Sequence, residues 1–183
     1  MTEKEKMLAG IDYYAKDAEL SIEINKVKDL IWEYNNIKPT NIDERQNLIK
    51  KIIPNIGENF LINQPFYCDY GTNIKIGNNF FSNFNLTILD EALVTIGDNC
   101  FIAPNVSIYT AIHPIDPIRR NQQRQTAKPV TIGDNVWICG SVTIIPGITI
   151  GNNVTIGAGS VVVKDIPDNC VAVGNPCKPI KFL

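Results

Sequence analysis

The chain has 183 residues, of which 44% are apolar and 20% charged, and its formal net charge is −2. That balance suits one globular domain with a modest appendage and excludes a disordered chain. It supplies no basic field for nucleic acid or an anionic membrane surface. The five cysteines, odd in number and without a CxxC pair, fit a reduced protein better than a disulfide framework or a zinc site.

The chain starts on a charged, polar segment, Met1 to Lys6, with no apolar run behind it. Its longest apolar runs fall far short of the roughly 20 residues that span a bilayer. A cytoplasmic protein is the expectation. Thr2 and Glu5 have the spacing of a capping box. Leu20, Ile24, Val27, Ile31 and Tyr34 recur at three and four, which is one face of a helix that Pro39 closes. Thr40 or Asn41 can cap a further helix carrying Leu48, Ile49 and Ile52. Residues 1–55 thus read as a small N-terminal helical subdomain, serving either as packing or as a lid or wall of a site.

From Ile56 the helical period gives way to a period of six. Ile132, Ile138, Ile144, Ile150, Ile156 and Val162 form one series; Val130, Val136, Val142, Ile148 and Val154 form a second. Both phases hold upstream, at Ile96, Ile102 and Ile108 and at Val94, Cys100 and Val106. No α-helix has this period, and a flat strand would alternate at two. Above it runs Ile-Gly-x-Asn, starting at Ile56, Ile76, Ile96, Ile132 and Ile150, at intervals of 20, 20, 36 and 18. Three sixes make one coil with three short sides, aliphatic residues inside, and Gly, Asn or Asp at corners that favour positive φ. Stacked coils about 4.8 Å apart make a parallel β-helix over residues 56–183, with a C-terminal tail. The period does not fix the hand of the coil.

The 36-residue interval is one coil plus an ejected loop at about 109–129, where the sixes stop. A long loop thrown out of a regular solenoid tends to be functional. It carries the chain's single histidine, His113, followed by Pro114. Histidine suits general-base work because its ordinary pKa, about 6.5, lies near neutrality. The stretch Arg119 to Gln125 reads as solvated surface or as a bias toward anionic or larger acceptors. Neither GxxxxGK[ST] nor GxSxG occurs. The glycines of Gly157-Ala158-Gly159-Ser160 fall at coil corners.

Several stretches, in order and spacing, resemble the hexapeptide-repeat acetyltransferases of the maltose and galactoside O-acetyltransferase branch. They are Met7 to Gly10, Pro65 to Gly71, Asn83-Phe84-Asn85, Ile96-Gly97-Asp98-Asn99 with Ala103-Pro104-Asn105, Tyr109 to Pro114, Val136-Trp137-Ile138, Gly157 to Val162, and Lys164 to Pro167 with Gly174 to Cys177. The resemblance implies a left-handed β-helix, a homotrimer with active sites between subunits, and acetyl transfer from acetyl-CoA to a hydroxyl, here of a sugar. It implies His113 as the base and Asn83 as a second catalytic group that also contacts the acceptor. Asp69 and Glu91 match acceptor positions; a further acidic acceptor position falls on Tyr14 or Ala15. Gly140, Ala158, Val163, Lys164, Lys178 and Lys181 match positions that bind acetyl-CoA, with the Gly140 N–H facing the thioester oxygen. No metal, nucleic acid or membrane partner is implied. Some left-handed β-helices are carbonic anhydrases with three zinc-binding histidines, which a chain with one histidine cannot supply. The alternatives are an acetyltransferase for another acceptor, such as an antibiotic, a cell-wall or capsule sugar or an amino sugar, and a non-enzymatic scaffold.

Overall fold

The computed structural model describes all 183 residues, and the period of six folds as three parallel faces around one aliphatic column. The first face stacks Asn55–Ile56, Ile74–Ile76, Val94–Ile96, Val130–Ile132 and Thr149–Ile150. The second stacks Leu61–Ile62, Phe81–Ser82, Phe101–Ile102, Trp137–Ile138, Thr155–Ile156 and Cys170–Val173. It ends on the antiparallel tail strand Lys178–Phe182. The third stacks Phe66–Cys68, Leu86–Leu89, Ser107–Tyr109, Thr143–Ile144 and Val161–Val162. Register follows the ladder: Ile76, Ile96, Ile132 and Ile150 lie one above another, as do Ile102, Ile138 and Ile156. Each of these is buried, so stacking removes one aliphatic side chain per face per coil from water. The left-handed parallel β-helix implied by the resemblance is the fold of this chain.

The corner asparagines and glycines divide the work. Asn59, Asn79, Asn99, Asn135 and Asn153 all sit at φ 56°, the left-handed region that asparagine tolerates. Their side chains form amide ladders, as in Asn79 Nδ2 donating to Asn99 Oδ1 at 2.9 Å. The preceding glycines are there for space. A Cβ on Gly77 would lie 2.3 Å from Asp98 Oδ1 and 2.8 Å from Asp98 N.

All three irregular intervals fall at the corner where the third face turns into the first. A regular coil crosses it from Ile144 to Ile148, whereas Cys68 to Ile74 and Ile88 to Val94 each use two more residues. The third excursion, from Ile108 to Val130, holds the long loop. The interruptions therefore stack on one edge of the prism.

The N-terminal helices are α1 (Glu3–Leu8), α2 (Ala18–Asn36) and α3 (Ile42–Ile52). The Thr2–Glu5 capping box forms. On α2, Leu20, Ile31 and Tyr34 are buried, with Ile24 and Val27 half-buried beside them. Asn41 precedes α3, but its side chain turns to Glu44 and caps no N–H. Ile31, Tyr34, Leu48, Ile49, Ile52 and Ile53 belong to the same apolar cluster as the β-helix column, so the helices close one end of a continuous core. Tyr34 Oη donates to Ile62 O at 2.5 Å, and Arg45 Nη2 donates to the same carbonyl at 2.7 Å.

The excursion at 109–129 is more ordered than a loop. Ala111–Ile112 and Arg124–Ala127 pair antiparallel, and Tyr13–Tyr14 pairs with the outer edge of the second strand. Between them a short helix, α4 (Pro117–Asn121), starts on an Asp116 side-chain cap. The N-terminal segment thus clamps the histidine-bearing loop, a long-range pairing that the sequence period carries no trace of.

Candidate active site

The two shorter corner insertions place a carboxylate pair. Asp69 follows the strand Phe66–Cys68, and Glu91 follows Leu86–Leu89 one coil further on, which stacks the two at the same corner. Asp90 builds the floor. It is fully buried, and its Oδ1 accepts the backbone N–H groups of Asp69 and Tyr70 at 3.0 and 2.9 Å. Thr110, also fully buried, accepts Ala92 N at 3.0 Å and donates to Leu89 O at 2.7 Å, with Glu91 Oε2 3.3 Å away.

Burial governs the protonation of this corner. It pushes the Glu91 carboxyl up to about 8, and the facing Asp69 charge adds to the shift. Asp69 is also raised by burial, while its hydrogen bond to Glu91 and the nearby Lys28 oppose the shift. Asp90 is pushed up to about 6 by burial, against the pull of its two backbone donors. Two carboxyls facing each other in a poorly solvated corner hold a proton between them near neutrality.

His113 lies on the long excursion at the same corner and is exposed. The Gln125 side-chain amide sits 3.2 Å from its Nε2 and 3.4 Å from its Nδ1. Gln125 is itself held by the buried Tyr13, whose hydroxyl donates to Gln125 Oε1 at 2.6 Å. Tyr13 packs with Met7, Leu20 and Tyr70, and the charges of Glu91 and Asp69 reach it after burial as causes that raise its hydroxyl pKa. A chain Tyr13–Gln125–His113 therefore runs from the N-terminal clamp to the imidazole.

The arginines of the excursion point back into the protein's own clamp. Arg119 Nη2 and Arg124 Nε donate to the Asp12 carboxylate at 2.8 and 2.7 Å, and Arg120 Nη1 donates to Pro114 O and Ile115 O at 3.2 and 3.1 Å. Arg119 and Arg124 thus serve as ties to Asp12, while Arg119 and Arg120 stay exposed, in keeping with the solvated-surface reading. Tyr14 is exposed and Ala15 half-buried against the Tyr13 cluster.

The remaining candidates fall at another corner. Asn83, Ala103, Cys139 and Gly157 each follow the second face by one residue, in register; Phe84, Pro104, Gly140 and Ala158 follow by two. At this turn from the second to the third face, Asn83 accepts Phe84 N at 2.8 Å through its Oδ1 and leaves its amide N–H groups free. Asn85 and Asn105, both at φ 62°, are the corner-forming residues instead. Gly140 N–H takes part in none of the backbone hydrogen bonds, and a Cβ there would meet only Pro104 O at 3.4 Å. Ala158 is exposed nearby. Val163 and Lys164 lie back at the histidine corner, past the strand Val161–Val162, and Lys178 and Lys181 are exposed on the tail strand.

Apart from the two tail-strand lysines, the sequence-derived candidates split into two sets. Asp69, Glu91, His113, Val163 and Lys164 share one edge of the prism; Asn83, Gly140 and Ala158 share another. A third-face strand separates them, and five residues from Asn85 to Asp90 at about 3.3 Å each span roughly 16 Å. Tyr13, Thr110 and Gln125 went unread in the sequence. The two-residue excess in both 20-residue intervals was the available signal for the corner, but nothing local marked Tyr13 or Gln125.

A stacked three-sided β-helix with a histidine on an inserted corner loop and a carboxylate pair at the same corner defines a class, the hexapeptide-repeat acyltransferases. Residues 129–164 match the bacterial transferase hexapeptide (six repeats) family, and residues 6–57 match the maltose acetyltransferase hexapeptide capping motif. The galactoside O-acetyltransferase of Escherichia coli (strain K12) is 49% identical over 84% of this chain and 76% of its own length. The crystal structure of a maltose O-acetyltransferase from Clostridium difficile 630 superposes with a TM-score of 0.98 at 51% identity, covering 100% of this chain and 98% of that one. A galactoside acetyltransferase in complex with coenzyme A gives a TM-score of 0.96 at 44% identity, over 100% and 91% of the two chains. The chain belongs to the hexapeptide-repeat acetyltransferase family, in its maltose and galactoside branch. No helix is long and apolar enough to cross a membrane.

Proposed function

We propose that the protein transfers an acetyl group from acetyl-CoA to a sugar hydroxyl, as a homotrimer whose active sites lie between subunits. The observation that carries the reading is His113, the chain's single histidine. It is exposed on the inserted loop, at the prism edge whose shorter insertions hold Asp69 and Glu91, in a chain that closely matches sugar O-acetyltransferases.

The chemistry needs groups from both edges. An unprotonated imidazole nitrogen of His113 takes the acceptor hydroxyl proton as that oxygen attacks the thioester carbonyl, a role worth roughly 10²–10⁴-fold. The Gly140 N–H, free of backbone partners, donates to the oxyanion of the tetrahedral intermediate. Collapse breaks the C–S bond, and the imidazolium returns the proton to the CoA thiolate. Asn83 offers its free amide N–H groups to the acceptor or the developing charge. Asp69 and Glu91 accept or donate hydrogen bonds to sugar hydroxyls. Ala158, Val163 and Lys164 line the CoA path, with Lys178 and Lys181 as point charges for its phosphates.

Separation of the groups supports sites between subunits, and the family resemblance supplies the trimer. The base and the oxyanion donor occupy different edges of one prism, so a single chain does not join them; a neighbouring copy bringing its Gly140 edge to the His113 edge does. Residues 1–55 cap the coil and wall the acceptor end through Tyr13 and Asp12. Five free cysteines, four of them buried, fit a reducing cytoplasm. Two measurements test the reading together: CoA release from acetyl-CoA with panels of hydroxyl and amino acceptors, and sedimentation equilibrium. Acetylation of sugars by a trimer supports it. A monomer at micromolar concentration, or transfer to amines alone, contradicts it.

A further inference from the structure

A groove of about 430 Å³ runs between α2 and the first strand of the third face and ends on Asp69. Its walls carry two aromatic side chains that the fold does not use. Trp32 lies off the buried stripe of α2 and is 70% exposed. Tyr67 points outward from the strand Phe66–Cys68, whose other two residues face the core, and is 47% exposed. Burying either ring would be favourable, so two exposed rings along one groove mark a binding surface rather than a packing element. The rim is polar. Lys28 stands one helical turn before Trp32 and acts on the Asp69 carboxyl, and Asn36 follows one turn after Trp32. The volume lies within the usual range of small-molecule sites, roughly 300–1,000 Å³.

A pyranose ring has this chemistry: an apolar C–H face that lies on an aromatic ring, and a rim of hydroxyls for lysine, amide and carboxylate partners. We propose that Trp32 and Tyr67 form a second sugar subsite, holding the ring next to the one that is acetylated, so that the protein favours a disaccharide acceptor over a monosaccharide. This rests on the sugar-acceptor reading above, with Asp69 as the junction between the two rings. It assigns selectivity to the N-terminal helical segment, which supplies Lys28, Trp32 and Asn36.

The test compares kcat/KM for maltose and glucose at fixed acetyl-CoA, with 4-nitrophenyl glucoside as a third acceptor. Trp32→Ala lowers the maltose-to-glucose ratio about tenfold, chiefly through the KM for maltose, and Trp32→Phe restores most of it. Maltose changes the intrinsic fluorescence of the wild type, and Trp32→Ala abolishes that change. An unchanged ratio overturns the subsite. So does a selective loss on 4-nitrophenyl glucoside alone, which makes the groove an aryl pocket, or a fall in sedimenting mass of Trp32→Ala, which makes Trp32 a subunit contact. If the wild type acetylates none of the three acceptors, the sugar-acceptor reading fails and the subsite with it.

Discussion

The side-chain amide of Gln125 lies within 3.2 Å of Nε2 of His113. That contact makes Gln125 the side chain that positions the imidazole. The Tyr13 hydroxyl fixes Gln125 from the other side at 2.6 Å.

Gln125→Ala should therefore lower kcat/KM for the acceptor by about tenfold through misplacement of the base. The acetyl-CoA constant should hold. Gln125→Glu puts a carboxylate beside the ring, which favours imidazolium, and should move the acid limb of the rate profile to higher pH. Steady-state kinetics across pH check both. A profile identical in wild type and Gln125→Glu would show that the two side chains do not communicate.

Glu91 makes stability depend on pH in a defined direction. Its folded carboxyl titrates at about 8 against an ordinary value of 4.5, because burial and Asp69 disfavour its charge. Between those values the folded protein holds a proton that the unfolded chain has released, so stability falls as pH rises through this window. Asp90, raised to about 6, acts in the same direction over the lower part of it. Glu91→Gln should flatten the decline in Tm above pH 6 relative to wild type, measured by scanning calorimetry. Equal slopes for the two proteins would contradict a buried, protonated Glu91.

The core register is tested at Ile138, which is fully buried between Ile102 and Ile156. Ile138→Asp buries an unpaired carboxylate and should cost about 4 kcal/mol or more, a large share of the roughly 5–15 kcal/mol that holds a typical domain folded. Circular dichroism melts report it. A variant as stable as wild type would place residue 138 outside the column.

Most of the fold was legible because the β-helix repeats its physics every six residues. Ile132, Ile138, Ile144 and Ile150 each carry the same instruction, and Ile-Gly-x-Asn marks the same corner in successive coils. His113 was legible for the opposite reason: it sits where the repetition breaks. The clamp was not legible. Tyr13 and Gln125 lie 112 residues apart and meet through a short antiparallel pairing that leaves no periodic trace. The arginine ties to Asp12 were hidden in the same way, since charge on a loop looks the same whether it faces solvent or a partner brought in by tertiary structure.

The cofactor assignment turns on the tail strand. Lys178 is exposed there, and a lysine facing a phosphate acts as a point charge. Lys178→Glu should raise the apparent acetyl-CoA constant more than the acceptor constant, and high salt should shrink the difference. Equal effects on both substrates would remove Lys178 from the CoA site.

The most direct test is His113→Ala, with acetyl transfer and acetyl-CoA binding measured on the same folded, correctly assembled preparation. If His113 deprotonates the acceptor, kcat should fall by about 10²-fold or more. The acetyl-CoA dissociation constant should change little, because the proposed mechanism turns the imidazole to the hydroxyl and not to the nucleotide. Near-normal acetyl transfer by the folded variant would contradict the mechanism, while leaving the β-helix and its family in place.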